Sequence, residues 1–175
     1  MKKNVLVIAV FAVVMLFSNG VSAQKFRGLD KSPLDKVLFK TKADGVKAEV
    51  IYSRPQLKGR RISKLIPDGK MWRLGANEAS HITFKNDVVF GGKSIKAGTY
   101  SIFAIPNKTE WTIILNKDLY NWGLGGYNQA NDVARVQAKV SSSMAPIEAF
   151  SITFDRDMNL YLGWNYTVVK VDIKG

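Results

Sequence analysis

The sequence predicts an all-β protein, an antiparallel β-sandwich or jelly-roll-like barrel of about 8–10 short strands with little helix. Three observations carry that expectation. Apolar and polar residues alternate with period two in stretch after stretch. Clusters of Gly, Pro, Asn and Asp separate those stretches at short intervals. No segment carries the apolar stripe of an amphipathic helix, and local helix fits only at Leu34–Lys40 or around Leu57–Ile66.

The elements follow in order. Val46, Ala48, Val50 and Tyr52 alternate with Lys47, Glu49, Ile51 and Ser53, a half-buried strand stopped by Arg54-Pro55. From Ala79 to Phe84, His81 and Thr83 fall on one face, Ser80, Ile82 and Phe84 on the other. Val88–Phe90, the turn Gly91-Gly92 and Lys93–Lys96 read as a hairpin. Thr99–Ile105 is almost continuously apolar, as in a strand covered on both faces, and Asn107–Glu110 turns the chain into Trp111–Asn116. Ala134, Val136, Ala138 and Val140 alternate with Arg135, Gln137 and Lys139; Phe150, Ile152 and Phe154 alternate with Ser151 and Thr153. Asp155–Asn159 leads into Leu160–Trp164, and Val169, Val171 and Ile173 mark the last strand.

The chain opens on a short positive head, Met1–Asn4, followed by 13 apolar residues, Val5–Phe17, and the small-residue stretch Ser18–Ala23. That is the pattern of a secretory signal peptide over residues 1–23. The apolar run is short for a retained span, and no Cys follows it, so neither a transmembrane nor a lipid anchor is expected after cleavage. Of the remaining 152 residues, 24–43 read as a loosely ordered N-terminal segment and 44–175 as a single β domain, exported to the periplasm or secreted.

The chain holds no Cys, which excludes disulfides, thiol nucleophiles and thiolate metal sites. A single His excludes a multi-histidine metal centre, so no metal site and no cofactor are expected. Loss of Lys2 and Lys3 takes the net charge from +12 to +10, a balance that favours anionic partners such as acidic glycans or envelope phosphates. The lysines are spread along the whole chain, which general solvation also explains, and no nucleic-acid-binding module is recognisable.

Five stretches stand in a fixed order: Val50–Arg61 (VIYSRPQLKGRR), Pro67–Glu78 (PDGKMWRLGANE), Ile95–Pro106 (IKAGTYSIFAIP), Glu110–Lys117 (EWTIILNK) and Asp132–Val136 (DVARV). In these the chain resembles a family of exported bacterial proteins known as a domain of unknown function, with the signature YSRP…KGR, WRxGANE, AGTYSLFxIP. The resemblance covers nearly the whole exported chain and implies a β-rich single domain. It implies no activity, substrate or catalytic residue. This chain departs from the pattern at His81, where relatives carry Thr or Val, which argues against an essential imidazole.

The residues with chemistry gather in three stretches. In Trp72–Glu78, Gly75 and Asn77 both suit a tight corner between strands. Structurally, Arg73 forks onto Glu78 and Asn77 satisfies broken ladder groups. Functionally, Trp72 stacks on a sugar ring, Arg73 takes a carboxylate or phosphate, and Asn77 and Glu78 fix hydroxyls. In Ser53–Arg61, Arg54, Lys58, Arg60 and Arg61 form either an anion-recognising loop or a solvated connection; a meeting of Arg60 or Arg61 with Glu78 or Asp87 would unite the two motifs. In Asn121–Asn128, Trp122 and Tyr127 in a Gly-rich loop are either a ring platform or an Ω-like loop whose Trp122 caps the core.

The preferred reading is a non-enzymatic exported binding module for a carbohydrate or anionic envelope component. Its ligand-binding residues would be Arg54, Arg60, Arg61, Trp72, Arg73, Asn77, Glu78, Trp122 and Tyr127. No catalytic residue is assigned. The alternatives are an envelope hydrolase or isomerase pairing Glu78 with Asp87 or Asp132, and an assembly module without a small ligand.

Overall fold

A computed structural model describes residues 25–175, so the signal peptide expected over residues 1–23 lies outside the described residues. The protein is all-β, and every strand pairing is antiparallel. In chain order the strands are β1 (Leu34–Thr41), β2 (Gly45–Ser53), β3 (Ser80–Phe84), β4 (Val88–Phe90), β5 (Lys93–Ile95), β6 (Gly98–Ile105), β7 (Glu110–Asn116), β8 (Asp132–Phe154), β9 (Leu160–Val171) and β10 (Ile173–Lys174). A single helical turn, α1 (Ile62–Leu65), falls within the Leu57–Ile66 stretch that allowed it, and a 3₁₀ turn spans Gln129–Asn131. Among the described residues no helix is long and apolar enough to cross a membrane.

Seven strands form one sheet in the order β1-β2-β3-β6-β7-β8-β9, and the β4–β5 hairpin leaves it to make a second, three-stranded sheet with β10. The large sheet curls. The C-terminal half of β8 returns to β1 and β2, where the Phe39 and Phe154 rings sit 6.0 Å apart and the Ile152 N–H donates to the Tyr52 hydroxyl at 3.0 Å. One core fills the curl: Ala48, Val50, Ile82, Phe84, Ile102, Ile113, Val136, Phe150, Leu162 and their neighbours are all buried. The alternation read from the sequence supplies this face. In β9 it changes phase after Trp164, where Asn165 takes a positive φ of 54° and Val169 and Val171 then point inward.

The N-terminal segment departs from expectation. Leu34–Thr41 is neither loose nor helical but pairs along its length with β2, with a register shift between Phe39 and Lys40. Val37 and Phe39 pack on the core from this edge strand, which outweighs a weak local pattern. The two segments expected at Ala134–Val140 and Phe150–Phe154 are one long strand, β8, irregular opposite β9 between Ser142 and Ser151.

Candidate functional site

The Trp72–Ser80 corner is a loop extruded from a β ladder. Trp72 exchanges two backbone hydrogen bonds with Ala104 at 2.7 and 2.8 Å, and Ser80 pairs with Ile102, so β6 advances two residues while this strand advances eight. Leu74 and Asn77 make the turn with φ of 54° and 60°. Gly75, expected to supply the positive φ, does not; it is required by close approach instead. A Cβ there would lie 2.9 Å from Ser80 Oγ and 3.0 Å from the Ser53 carbonyl oxygen. The Ser80 hydroxyl donates to the Leu74 carbonyl at 2.7 Å and the Trp72 indole N–H to the Gly75 carbonyl at 2.9 Å, so the corner is tied from within.

Residues 117–131 form a strap that folds back over the outer face of the sheet onto this corner. Its base is closed by the Lys117 N–H donating to the Asn131 carbonyl, as an Ω loop requires. Three bonds pin it to the corner strand: Ala79 N–H to the Asn121 carbonyl at 2.9 Å, Gly123 N–H to the Asn77 carbonyl at 3.0 Å, and Tyr120 N–H to His81 Nε2 at 3.2 Å. Glu78 thereby stands opposite Trp122 across a β-bridge. Beneath the strap lies a second small apolar cluster, Ala79, Phe103 and Ile114, on which the Tyr127 ring packs edge-on at 5.1 Å from Phe103. Tyr127 thus fills the capping role, whereas Trp122 is 68% exposed and its neighbour Tyr120 81% exposed.

The structure therefore brings Arg73, Asn77, Glu78, Trp122 and Tyr127 around one strap. It does not bring the others there. Trp72 is inside the core, stacked on Trp164 with centroids 5.6 Å apart and edge-on to Phe150 at 4.8 Å, so no ring face is open to a ligand. Arg54 joins β1, β2 and β8: it donates to Asp35 Oδ2 at 3.1 Å, the Phe150 carbonyl at 3.1 Å and Ser151 Oγ at 2.8 Å. Arg60 donates to the carbonyls of Gln56 and Leu57, which folds its loop on itself. Arg61 is exposed at the start of α1. Among the described residues neither Arg60 nor Arg61 pairs with Glu78 or Asp87, and Arg73 does not fork onto Glu78. Long side chains on separate bends needed a common partner to converge, and Arg54 and Arg60 each found a nearer one.

Arg73 is half-buried, and burial pulls its guanidinium below the ordinary value; among the described residues its Nε has no hydrogen-bond partner. Its Nη1 lies 3.9 Å from where a side chain on Gly123 would begin. Burial likewise lowers His81, with the Glu78 charge opposing that shift. Tyr127 donates to Asp132 Oδ2 at 2.9 Å and accepts from Arg135 at 3.1 Å; burial first, and then Asp132, push its hydroxyl up. Asn77 reaches the N-terminal segment, adding to the Ser32 amide in holding the Asp30 carboxyl below its usual value.

Glu78 is exposed. Asp87 is paired with Lys96 at 2.8 Å and Asp132 with Arg135 at 2.8 Å, so neither supplies the partner an acid–base pair requires. Among the described residues no three His, Asp or Glu side chains converge as a metal site. Concavities of about 570 and 230 Å³ are lined by other residues, one beside the small sheet at Lys139 and Lys170, one under α1 at Trp111.

Missing from the sequence reading was Tyr120 as part of this locality. The glycines at 123, 125 and 126 marked a compact loop; nothing local marked the strand it would dock on. Fold and strap together define an antiparallel β protein that presents an aromatic loop pinned to a strained polar corner. Residues 32–173 match the family described as "Protein of unknown function (DUF2911)", and the chain belongs to that family. No curated protein and no solved structure matches it.

Proposed function

We propose that the chain is an exported, non-enzymatic binding module for a carbohydrate or anionic component of the cell envelope. The strap of residues 117–131 and the Arg73–Glu78 corner form its ligand face. This reading rests on one observation: Trp122 is 68% exposed although its backbone is held in a β-bridge to Glu78. An indole held out of the core on a fixed backbone offers an apolar ring face at low ordering cost, and sugar rings stack on such faces. Asn77 and Glu78 stand beside it as hydroxyl partners. Of the six non-glycine residues with positive φ among the described residues, Leu74, Asn77 and Tyr120 all lie here, and such strain concentrates where a surface is shaped for use.

An assembly module without a small ligand would bury Arg73, Asn77 and Glu78 in mutual bonds; Glu78 is exposed, and among the described residues Arg73 Nε has no partner. The test is a glycan array, with peptidoglycan and lipopolysaccharide pull-downs, on the exported chain and its Trp122→Ala variant. Binding falls about tenfold or more in the variant while Tm stays within about 2 °C. Unchanged binding overturns the proposal.

A further inference from the structure

Lys139, Lys170 and Lys174 are exposed and line one hollow of about 570 Å³, where β8 and β9 meet the small sheet. It lies apart from the strap, since none of residues 73–78 or 117–131 lines it. The register brings two of these lysines together. β8 and β9 pair Ser142 with Thr167, Ser141 with Val168 and Val140 with Val169, so the next step sets Lys139 against Lys170 on one face. Like charges so placed repel. Asp172, the one acidic residue of the lining, offsets a single charge by pairing with Lys170 at 2.8 Å. Glu110 stands opposite Lys139 on β7 but lines a different concavity. Among the described residues no ion pair holds Lys139 or Lys174. Two positive charges are therefore left unbalanced around the hollow. The Gly91-Gly92 turn forms another wall, tied by the Gly91 N–H donating to the Asp172 carbonyl at 2.8 Å. Nothing lies within 4 Å of where a Gly92 side chain would begin, so the mouth is open on that side.

We propose that this hollow is a separate binding site for a phosphomonoester group. A hollow lined by an excess of one sign of charge concentrates counter-ions of the other. Ammonium groups on separate strands act as point charges rather than a planar fork, and suit the three oxygens of a tetrahedral phosphate better than a flat carboxylate. A phosphomonoester carries a charge of about −1.5 to −2 at pH 7, which matches the two unbalanced lysines, whereas a sulfate ester or a uronate carries a single charge. The volume falls within the about 300–1,000 Å³ of small-ligand sites, so the phosphate is borne on a body of roughly monosaccharide size. Val89, 38% exposed in the same lining, offers that body an apolar contact.

The test is calorimetric titration of the exported chain with glucose 6-phosphate, glucose 6-sulfate and glucuronate, and flotation with vesicles containing phosphatidic acid, which bears the same group on a lipid. The chain binds the phosphate about tenfold or more tighter than the sulfate or the uronate. Lys139→Gln and Lys174→Gln each weaken binding about fivefold, and Asp172→Asn strengthens it about threefold. Lys42→Gln, an exposed lysine in the β1–β2 turn, and Trp122→Ala on the strap both leave it within about twofold. Flotation with the vesicles and no binding of glucose 6-phosphate supports the phosphate and assigns it to a lipid headgroup; the reverse assigns it to a soluble ester. Equal affinity for phosphate and sulfate esters overturns the phosphomonoester. An equal loss in Lys42→Gln makes the binding a property of net charge, and an equal loss in Trp122→Ala moves it to the strap; either overturns the site. No binding to any probe overturns it as well, and leaves the strap reading to its own glycan test.

Discussion

Trp72 and Trp122 look interchangeable as sugar-stacking residues in the sequence, and their substitution separates core from surface. In Trp72→Ala the lost indole touches Trp111, Phe150 and Trp164, with centroids 6.0, 4.8 and 5.6 Å away. Truncating such a residue is destabilising by about 3–5 kcal/mol, because three rings cannot collapse fully into the space. The indole N–H also satisfies the Gly75 carbonyl at 2.9 Å, and leaving a buried acceptor unpaired adds about 1–3 kcal/mol. The sum, about 4–8 kcal/mol, rivals the roughly 5–15 kcal/mol that holds a typical domain folded. Trp72→Phe keeps most of the volume and loses mainly the hydrogen bond, so about 1–3 kcal/mol is expected. Trp122→Ala, at a 68% exposed position, stays within about 0.5 kcal/mol. Urea unfolding followed by tryptophan fluorescence and circular dichroism measures all three. A Trp72→Ala loss under about 1 kcal/mol, or a Trp122→Ala loss above about 2, would refute this placement of the two rings.

Two further outcomes follow from the corner and the strap. Gly75→Ala puts a methyl 2.9 Å from Ser80 Oγ and 3.0 Å from a backbone oxygen; the hydroxyl can turn but the backbone cannot, so about 2 kcal/mol or more is lost, measured by Tm against Gly28→Ala, where the space is open and φ is not positive. His81 accepts the Tyr120 N–H on Nε2, which requires the unprotonated ring, and burial holds its folded value below the unfolded one of about 6.5. The sign follows: the unfolded chain binds the proton first, so this stability is complete above about pH 6.5 and lost as pH falls through the folded value. The protection factors of residues 117–123, corrected for the slower intrinsic exchange at lower pH, should fall as pH drops below about 6.5 and through the folded value, and His81→Thr should abolish that dependence while leaving the rest of the profile in place.

The strands were legible because a half-buried strand writes its own pattern. Ala48, Val50 and Tyr52, or Leu160, Leu162 and Trp164, announce a face whatever they pack against, and the Gly91-Gly92 turn announces a hairpin. Leu34–Thr41 wrote no such pattern, because an edge strand half-covered by a curled sheet tolerates Asp35 and Lys36 among its apolar residues. The corner at Trp72–Glu78 was also visible as a corner. Which of its side chains faces the core was not, since the extruded loop breaks the alternation that would have told them apart.

The sequence by itself determined that this is a cysteine-free, basic, antiparallel β protein with its polar and aromatic chemistry confined to a few bends, since composition and period are local properties of the chain. Tertiary structure alone decided that Trp72 is core and Trp122 surface, that Arg54 is bonded on three sides whereas Arg73 Nε has no partner among the described residues, and that residues 117–131 lie over residues 77–81. Those outcomes depend on which distant backbone happens to pass within hydrogen-bonding reach, and no short stretch of sequence carries that distance.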